Sequence, residues 1–181
     1  MTKKTQRFKE SILKQTLYFL ITFSFVIGCS STKKILSVKP NEHMEVGWTP
    51  RSVFQSPGYA AWFDTAYSNY KPEEEIIERL KRMKDSVEYF VVYGMWCSDS
   101  RRELPRFFKI MDMIDFPSDK ITLIAVDRTR QIPERIAKEN NITNVPTFIV
   151  KYRGVEVGRI IESPKTTIEN DLVEYLFQLF P

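Results

Sequence analysis

The run Tyr89-Phe-Val-Val-Tyr93 narrows what this chain can fold into more than any other feature. An unbroken apolar stretch containing β-branched residues suits a strand covered on both faces, not one that turns a polar side to water. Such a strand needs neighbours, and the following sequence provides them. Ile121-Thr-Leu-Ile-Ala-Val126 reads as a second buried strand. Thr147–Tyr152 and Val155–Ile161 read as two more, joined by a hairpin turn at Arg153-Gly154. Helices are expected between them, at Ser98–Met113 and Ile132–Glu139. Another helix starts at Pro72, with Glu73, Glu74 and Glu75 in its first turn and Ile76, Ile77, Leu80 and Met83 on its buried stripe. Glu75–Arg79 and Glu78–Arg82 are spaced as i,i+4 pairs on its solvated face. The last helix opens on Thr166-x-x-Glu169, a capping-box pattern, and buries Ile168, Leu172, Val173, Leu176 and Phe180. The order predicts an α/β fold with a central mixed β-sheet flanked by helices, and 181 residues suffice for one such domain.

The net charge of +4 comes from the first 28 residues, which hold five basic side chains and one acidic one. From Cys29 onward 22 basic residues balance 22 acidic ones. A nucleic-acid partner is not expected of a domain without a basic excess. The basic stretch 1–15 is followed by an apolar run, Thr16–Gly28, of about 13 residues, which is short of the roughly 20 that span a bilayer as a helix. Val26-Ile27-Gly28-Cys29 resembles the lipobox of bacterial lipoproteins. That resemblance implies a signal peptide over 1–28, cleavage before Cys29, and acylation of Cys29 that anchors the chain to a lipid bilayer. The alternative is an uncleaved membrane anchor.

Residues 29–56 read as a tether or linker, with Pro40, Gly47 and Pro50 and no periodicity. His43, the one histidine, lies there as a solvated residue. With one histidine, no metal site or cofactor is suggested. Residues 57–71 read as an aromatic helical extension, with Tyr59, Trp62, Phe63, Tyr67 and Tyr70 at helical spacings, taken to pack on the core. The remaining domain covers 72–181.

The chemistry sits where the first buried strand ends, at Gly94-Met95-Trp96-Cys97-Ser98-Asp99-Ser100. If Cys29 is acylated, Cys97 is the single thiol, so an internal disulfide is excluded as its purpose. A cysteine opening a helix meets the positive end of the macrodipole and free backbone N–H groups, which favour its thiolate. Either Asp99 opposes the thiolate, with Arg101 and Arg102 a turn away to offset that effect, or Asp99 only complements the helix N-terminus and the arginines are solvated.

These residues resemble the thioredoxin superfamily. Trp96-Cys97-x-x-Ser100 matches the family's Trp-Cys-x-x-Cys with the second cysteine replaced, Pro105 matches the helix-kinking proline, and Val145-Pro146-Thr147 matches the cis-proline loop. The Trp-Cys-x-Asp-Ser segment with Arg101-Arg102-Glu103 resembles bacterial envelope thioredoxin-like lipoproteins. The resemblance covers about Glu73–Phe180 and implies a thioredoxin-like fold, a catalytic Cys97, and substrate binding by Trp96, Val145 and Pro146. It places the chain in the bacterial cell envelope, lipid-anchored and periplasm-facing.

Two departures change the expected mechanism. Ser100 cannot resolve a mixed disulfide, and Val91 stands where the family keeps a buried acid. What is left is a monothiol that attacks disulfide- or sulfenate-bearing envelope proteins and is released by an external thiol reductant. Ser100 is expected to donate its hydroxyl to the Cys97 thiolate. The alternative is a redox-inactive thioredoxin-fold binding module holding a protein or peptide in the cis-proline groove. Peroxide reduction is disfavoured because the Thr-x-x-Cys pattern of peroxiredoxins is missing.

Overall fold

A computed structural model describes residues 46–129 and 134–180 of the chain. The signal segment, Cys29 and His43 lie outside the described residues, as does Ile132 at the start of an expected helix. Five strands are described: β1 (Gly47–Trp48), β2 (Val87–Tyr93), β3 (Ile121–Ala125), β4 (Thr147–Tyr152) and β5 (Val155–Ile161). The helices are α1 (Ala60–Asn69), α2 (Glu74–Met83), α3 (Ser98–Met113), α4 (Glu134–Asn140) and α5 (Ile168–Phe177), with short 3-10 turns at Arg51–Gln55 and Ser118–Lys120.

The strands form one mixed sheet in the order β1-β3-β2-β4-β5. β2 lies at its centre, parallel to β3 with Tyr89 opposite Ile121, and antiparallel to β4 with Val92 opposite Thr147. Successive side chains of a strand point to opposite faces. Tyr89, Val91 and Tyr93 therefore join Leu123, Ala125, Phe148 and Val150 in the larger core, which α1, α2, α3 and α5 cover with Phe63, Leu80, Leu104, Phe107 and Leu172. Val92 packs with Ile124, Val126 and Val145 on the other face, where Phe90, Ile136 of α4 and Ile142 complete a smaller cluster. Val91 and Val92 are both fully buried, which accounts for the unbroken apolar run. The β4–β5 turn uses positive φ at Arg153 (50°) and Gly154 (81°), as a two-residue hairpin turn requires, and the glycine adopts it without a Cβ clash.

The tether expected over 29–56 ends sooner than its composition implies. Gly47 and Trp48 pair antiparallel with Ala125 and Ile124 of β3. Phe54 is 1% exposed and meets Phe63, Tyr93 and Phe108 at ring-centroid distances of 4.8, 5.4 and 5.6 Å. A two-residue strand and a single 3-10 turn are too short to leave a periodic trace. The aromatic stripe of 57–71 packs on the core as expected, with Phe63 buried and Tyr59, Trp62, Tyr67 and Tyr70 partly covered. A polar contact with α3 adds to this packing. Arg51 reaches both oxygens of Asp112 at 2.5 Å, and the Tyr67 hydroxyl donates to the same carboxylate at 2.7 Å.

Two local expectations change. The cap of α5 is Thr167, whose Oγ1 accepts from the Asn170 N–H at 3.3 Å, one residue later than the Thr166–Glu169 pattern. Asp171 draws the Lys165 and Thr166 N–H groups to its carboxylate, and Glu169 turns inward to accept the Tyr70 hydroxyl at 2.6 Å. On α2 neither Glu75–Arg79 nor Glu78–Arg82 closes as an ion pair. Arg79 lies over the Phe177 ring at 5.5 Å instead.

Truncating Phe54 removes an aromatic ring from the centre of the core, so Phe54→Ala is expected to cost about 3–5 kcal/mol in urea unfolding. The Asp112 carboxyl provides a pH test. Burial pushes its pKa up, but hydrogen bonds from Arg51 and Tyr67 outweigh burial and hold it below the usual 3.8. A carboxyl with a depressed folded pKa stabilises fully above the unfolded value and loses that contribution as pH falls through the folded one. The stability gap between wild type and Asp112→Asn should therefore hold from neutral pH to about pH 4 and close below it, read as urea midpoints across that range.

Candidate functional site

The site is built where β2 hands over to α3. Gly94 follows the strand, and its carbonyl accepts the Cys97 N–H at 2.9 Å to close a tight turn. A Cβ on Gly94 would lie 2.8 Å from Cε2 and Nε1 of Trp96, so this turn admits the indole only beside a glycine. Cys97 is the N-cap residue of α3 with extended backbone (φ −86°, ψ 127°), and the helix begins at Ser98. First-turn N–H groups of a helix have no intrahelical acceptor, so the sulfur stands at the electropositive end of α3. Pro105 lies further along the helix and is buried in it.

Cys97 is a free, half-buried cysteine. Its Sγ donates to the Val145 carbonyl at 3.2 Å. The Val145–Pro146 peptide is cis, as the family resemblance implies. Val145 and Cys97 pack in the same small cluster with Trp96 and Val92. Cys97, Trp96 and Val145 thus meet from segments about 50 residues apart in sequence. The Trp96 indole N–H donates to the Val126 carbonyl at 3.0 Å, which fixes the ring at the end of β3. The Arg128 guanidinium lies over that ring at 5.7 Å.

Ser100 is placed differently from its expected contact. It is fully buried, and its Oγ accepts the Gly94 N–H at 3.2 Å, with no hydrogen bond to the Cys97 sulfur. The hydroxyl braces the turn from beneath, because the third residue of the helix points into the core and not toward the sulfur. Asp99 does not face the sulfur as an unpaired charge, since Arg102 pairs with it at 2.8 Å. Arg101 leans away over Trp62 at 5.1 Å. The aromatic extension therefore contacts α3 through Arg101, Phe108, Lys109 and Asp112. Val91, in the position of the family's buried acid, is fully buried in the larger hydrophobic core.

Sequence reasoning passed over Glu103. It is 1% exposed, and its Oε1 accepts from Arg102 at 2.6 Å and from Arg106 at 3.3 Å. Its Oε2 has no hydrogen-bond partner. A carboxylate between two arginines reads in sequence as an ordinary solvated face, so the signal was concealed by its flanks. Among the described residues no group of three or more His, Cys, Asp or Glu side chains is gathered as a metal site.

The family model described as thioredoxin matches residues 59–175. Thioredoxin H2 of Arabidopsis thaliana is 30% identical over 89 residues, a stretch covering 48% of this chain and 62% of that protein. Among solved structures, a protein of unknown function from Pseudomonas aeruginosa is 18% identical with a TM-score of 0.44, over 65% of this chain and 75% of that one. A thioredoxin from Fasciola hepatica is 22% identical with a TM-score of 0.37, over 58% of this chain and 88% of that one. The family model spans more than half the chain and includes the strand, the Trp96-Cys97 turn and the Val145-Pro146 loop. This chain belongs to the thioredoxin family.

Proposed function

We propose that the protein is a membrane-anchored monothiol that carries out thiol–disulfide exchange through Cys97. The observation that carries this reading is the seat of the sulfur, half-buried at the N-terminus of α3 and 3.2 Å from the carbonyl preceding the cis Pro146. The Cys97 sulfur attacks one sulfur of a partner's disulfide, its thiol proton passing to solvent. The bond from Cys97 to the partner forms as the partner's own S–S bond breaks, and the departing thiolate takes a proton from solvent. With a sulfenic acid the same attack expels the hydroxyl as water. Trp96 and the Val145–Pro146 loop form the surface on which the partner chain rests.

The mixed disulfide has no internal exit. Ser100 carries a hydroxyl, and that hydroxyl is engaged by the Gly94 N–H. An external thiol must therefore attack the adduct, restoring the Cys97 thiol and leaving the partner bonded to that reductant. Acylation at Cys29 holds the domain at a bilayer in the bacterial envelope, where disulfide-bearing partners persist.

The turnover test uses both positions. Wild type should accumulate a covalent adduct with a disulfide substrate and show little release in insulin-type reduction, while Cys97→Ser forms no adduct. Ser100→Cys should increase release and reduce adduct yield, as read by non-reducing gels and turnover assays. A folded wild-type Cys97 that is inert to a thiol reagent at about pH 8, yet reacts on unfolding, would replace this reading with the redox-inactive binding module. Anchoring has its own test. Cys29→Ala should abolish labelling by a radioactive fatty acid in a lipoprotein-competent host, and wild type that stays uncleaved and unlabelled would overturn the lipid anchor.

A further inference from the structure

The Arg-Arg-Glu segment after the cysteine has no part in the chemistry above, and its geometry gives it one. Arg102 makes three polar contacts, two hydrogen bonds and an ion pair. Its Nε meets Glu103 Oε1 at 2.6 Å, one terminal nitrogen meets Asp99 Oδ1 at 2.8 Å, and the other meets Ser163 Oγ at 2.6 Å. Asp99 belongs to the first turn of α3, two residues after Cys97. Ser163 follows Glu162, whose backbone N–H donates to the Pro146 carbonyl at 2.7 Å. The guanidinium therefore joins the helix turn that carries the sulfur to the segment that carries the cis-proline.

We infer that Arg102 is a positioning residue that clamps the two walls of the Cys97 groove together, so that a bound polypeptide meets the sulfur and the Val145–Pro146 loop at once. This inference rests on the thiol-exchange reading above. The anchor of the clamp is Glu103, whose carboxylate is buried and whose Oε2 is unpartnered, so its compensation comes through Oε1 alone. Arg106 is the more distant of its two cations at 3.3 Å, which leaves Arg102 as the close one. A buried carboxylate deprived of its pair is strongly destabilising, so Glu103 keeps the guanidinium in place. The arms to Asp99 and Ser163 are half exposed and individually weak, so they align the walls without locking them. A lysine presents one point charge, whereas the guanidinium reaches Glu103, Asp99 and Ser163 through three separate nitrogens.

Because Arg102→Ala also strips a buried carboxylate and is prone to misfold, the test cuts the exposed arms. Ser163→Ala and Asp99→Ala leave the Glu103 pair intact. Two quantities are read in the full chain. The first is the rate of Cys97 with neutral dithiodipyridine, a small probe that needs only the sulfur, against its rate with a peptide disulfide that fills the groove. Ser163→Ala should keep the small-probe rate within about twofold of wild type and lose about threefold with the peptide, the size expected from one exposed charge-assisted contact, and Asp99→Ala should lower the peptide rate about threefold relative to its own small-probe rate. The second is amide hydrogen exchange at Glu162, which Ser163→Ala should accelerate because it cuts the contact that crosses from α3 to that segment. Arg102→Lys should reproduce the loss with the peptide, whereas a general need for positive charge would be met by lysine. Equal rates with both probes, or unaltered exchange at Glu162, overturn the clamp. Wild-type Cys97 inert to both probes overturns the thiol-exchange reading itself, and the clamp's role in it, whatever the exchange data show.

Discussion

Burial of β2 on both of its faces is the constraint from which the site follows. A strand hydrogen-bonded on each side and covered above and below cannot shift register without exposing Val91 or Val92. Its end is therefore a fixed point, and Gly94 and Cys97 emerge from it at a defined height above the sheet. β4 is held by the same strand, and the loop before β4 contains Val145 and Pro146. The sulfur and the cis-proline are both placed by ladders to β2, which is why residues 48 apart in sequence meet at 3.2 Å.

The loss of the second cysteine is built into this scaffold and has structural consequences. Ser100 is a buried polar group, and a buried hydroxyl without a partner would be costly. It is satisfied by the Gly94 N–H, at the turn that presents Cys97. The residue at the family's second cysteine position is thus a brace for the turn that carries the first. Val91 adds apolar packing where the family keeps an acid.

Around this centre the charges are used in pairs. Asp99 is matched by Arg102, Glu103 by Arg102 and Arg106, and Asp112 by Arg51 and Tyr67. The N-terminal extension is tied to the domain by the same logic, with Phe54 supplying the apolar anchor and Asp112 the polar one. Two buried carboxylates are met in the same way, Glu169 by Tyr70 at the end of α1 and Glu103 by Arg106 of α3, whose guanidinium lies over the Tyr70 ring at 5.2 Å. The Tyr70 phenol is driven to a raised pKa first by burial and then by its bond to Glu169, so it remains a donor at neutral pH.

Elements with a long period or a sharp local signal were legible from the residues alone. The apolar run of β2, the stripe of α2, the Arg153-Gly154 turn and the Trp96-Cys97-x-x-Ser100 and Val145-Pro146 motifs each write their structure into a few neighbouring positions. The contacts that assemble the site are of another kind. Whether Ser100 bonds the sulfur or Gly94, whether Asp99 is free or paired, and that Glu103 is buried all depend on which groups arrive from distant segments. Phe54 and the short β1 were hidden because two to five residues carry no periodicity. Glu169 looked like half of a capping box because its partner, Tyr70, lies 99 residues away. Local sequence specifies backbone form and chemical type, since those depend on near neighbours. The partner of a polar side chain is chosen only when the chain packs, since each buried donor or acceptor must then find its complement among whatever the fold brings within reach.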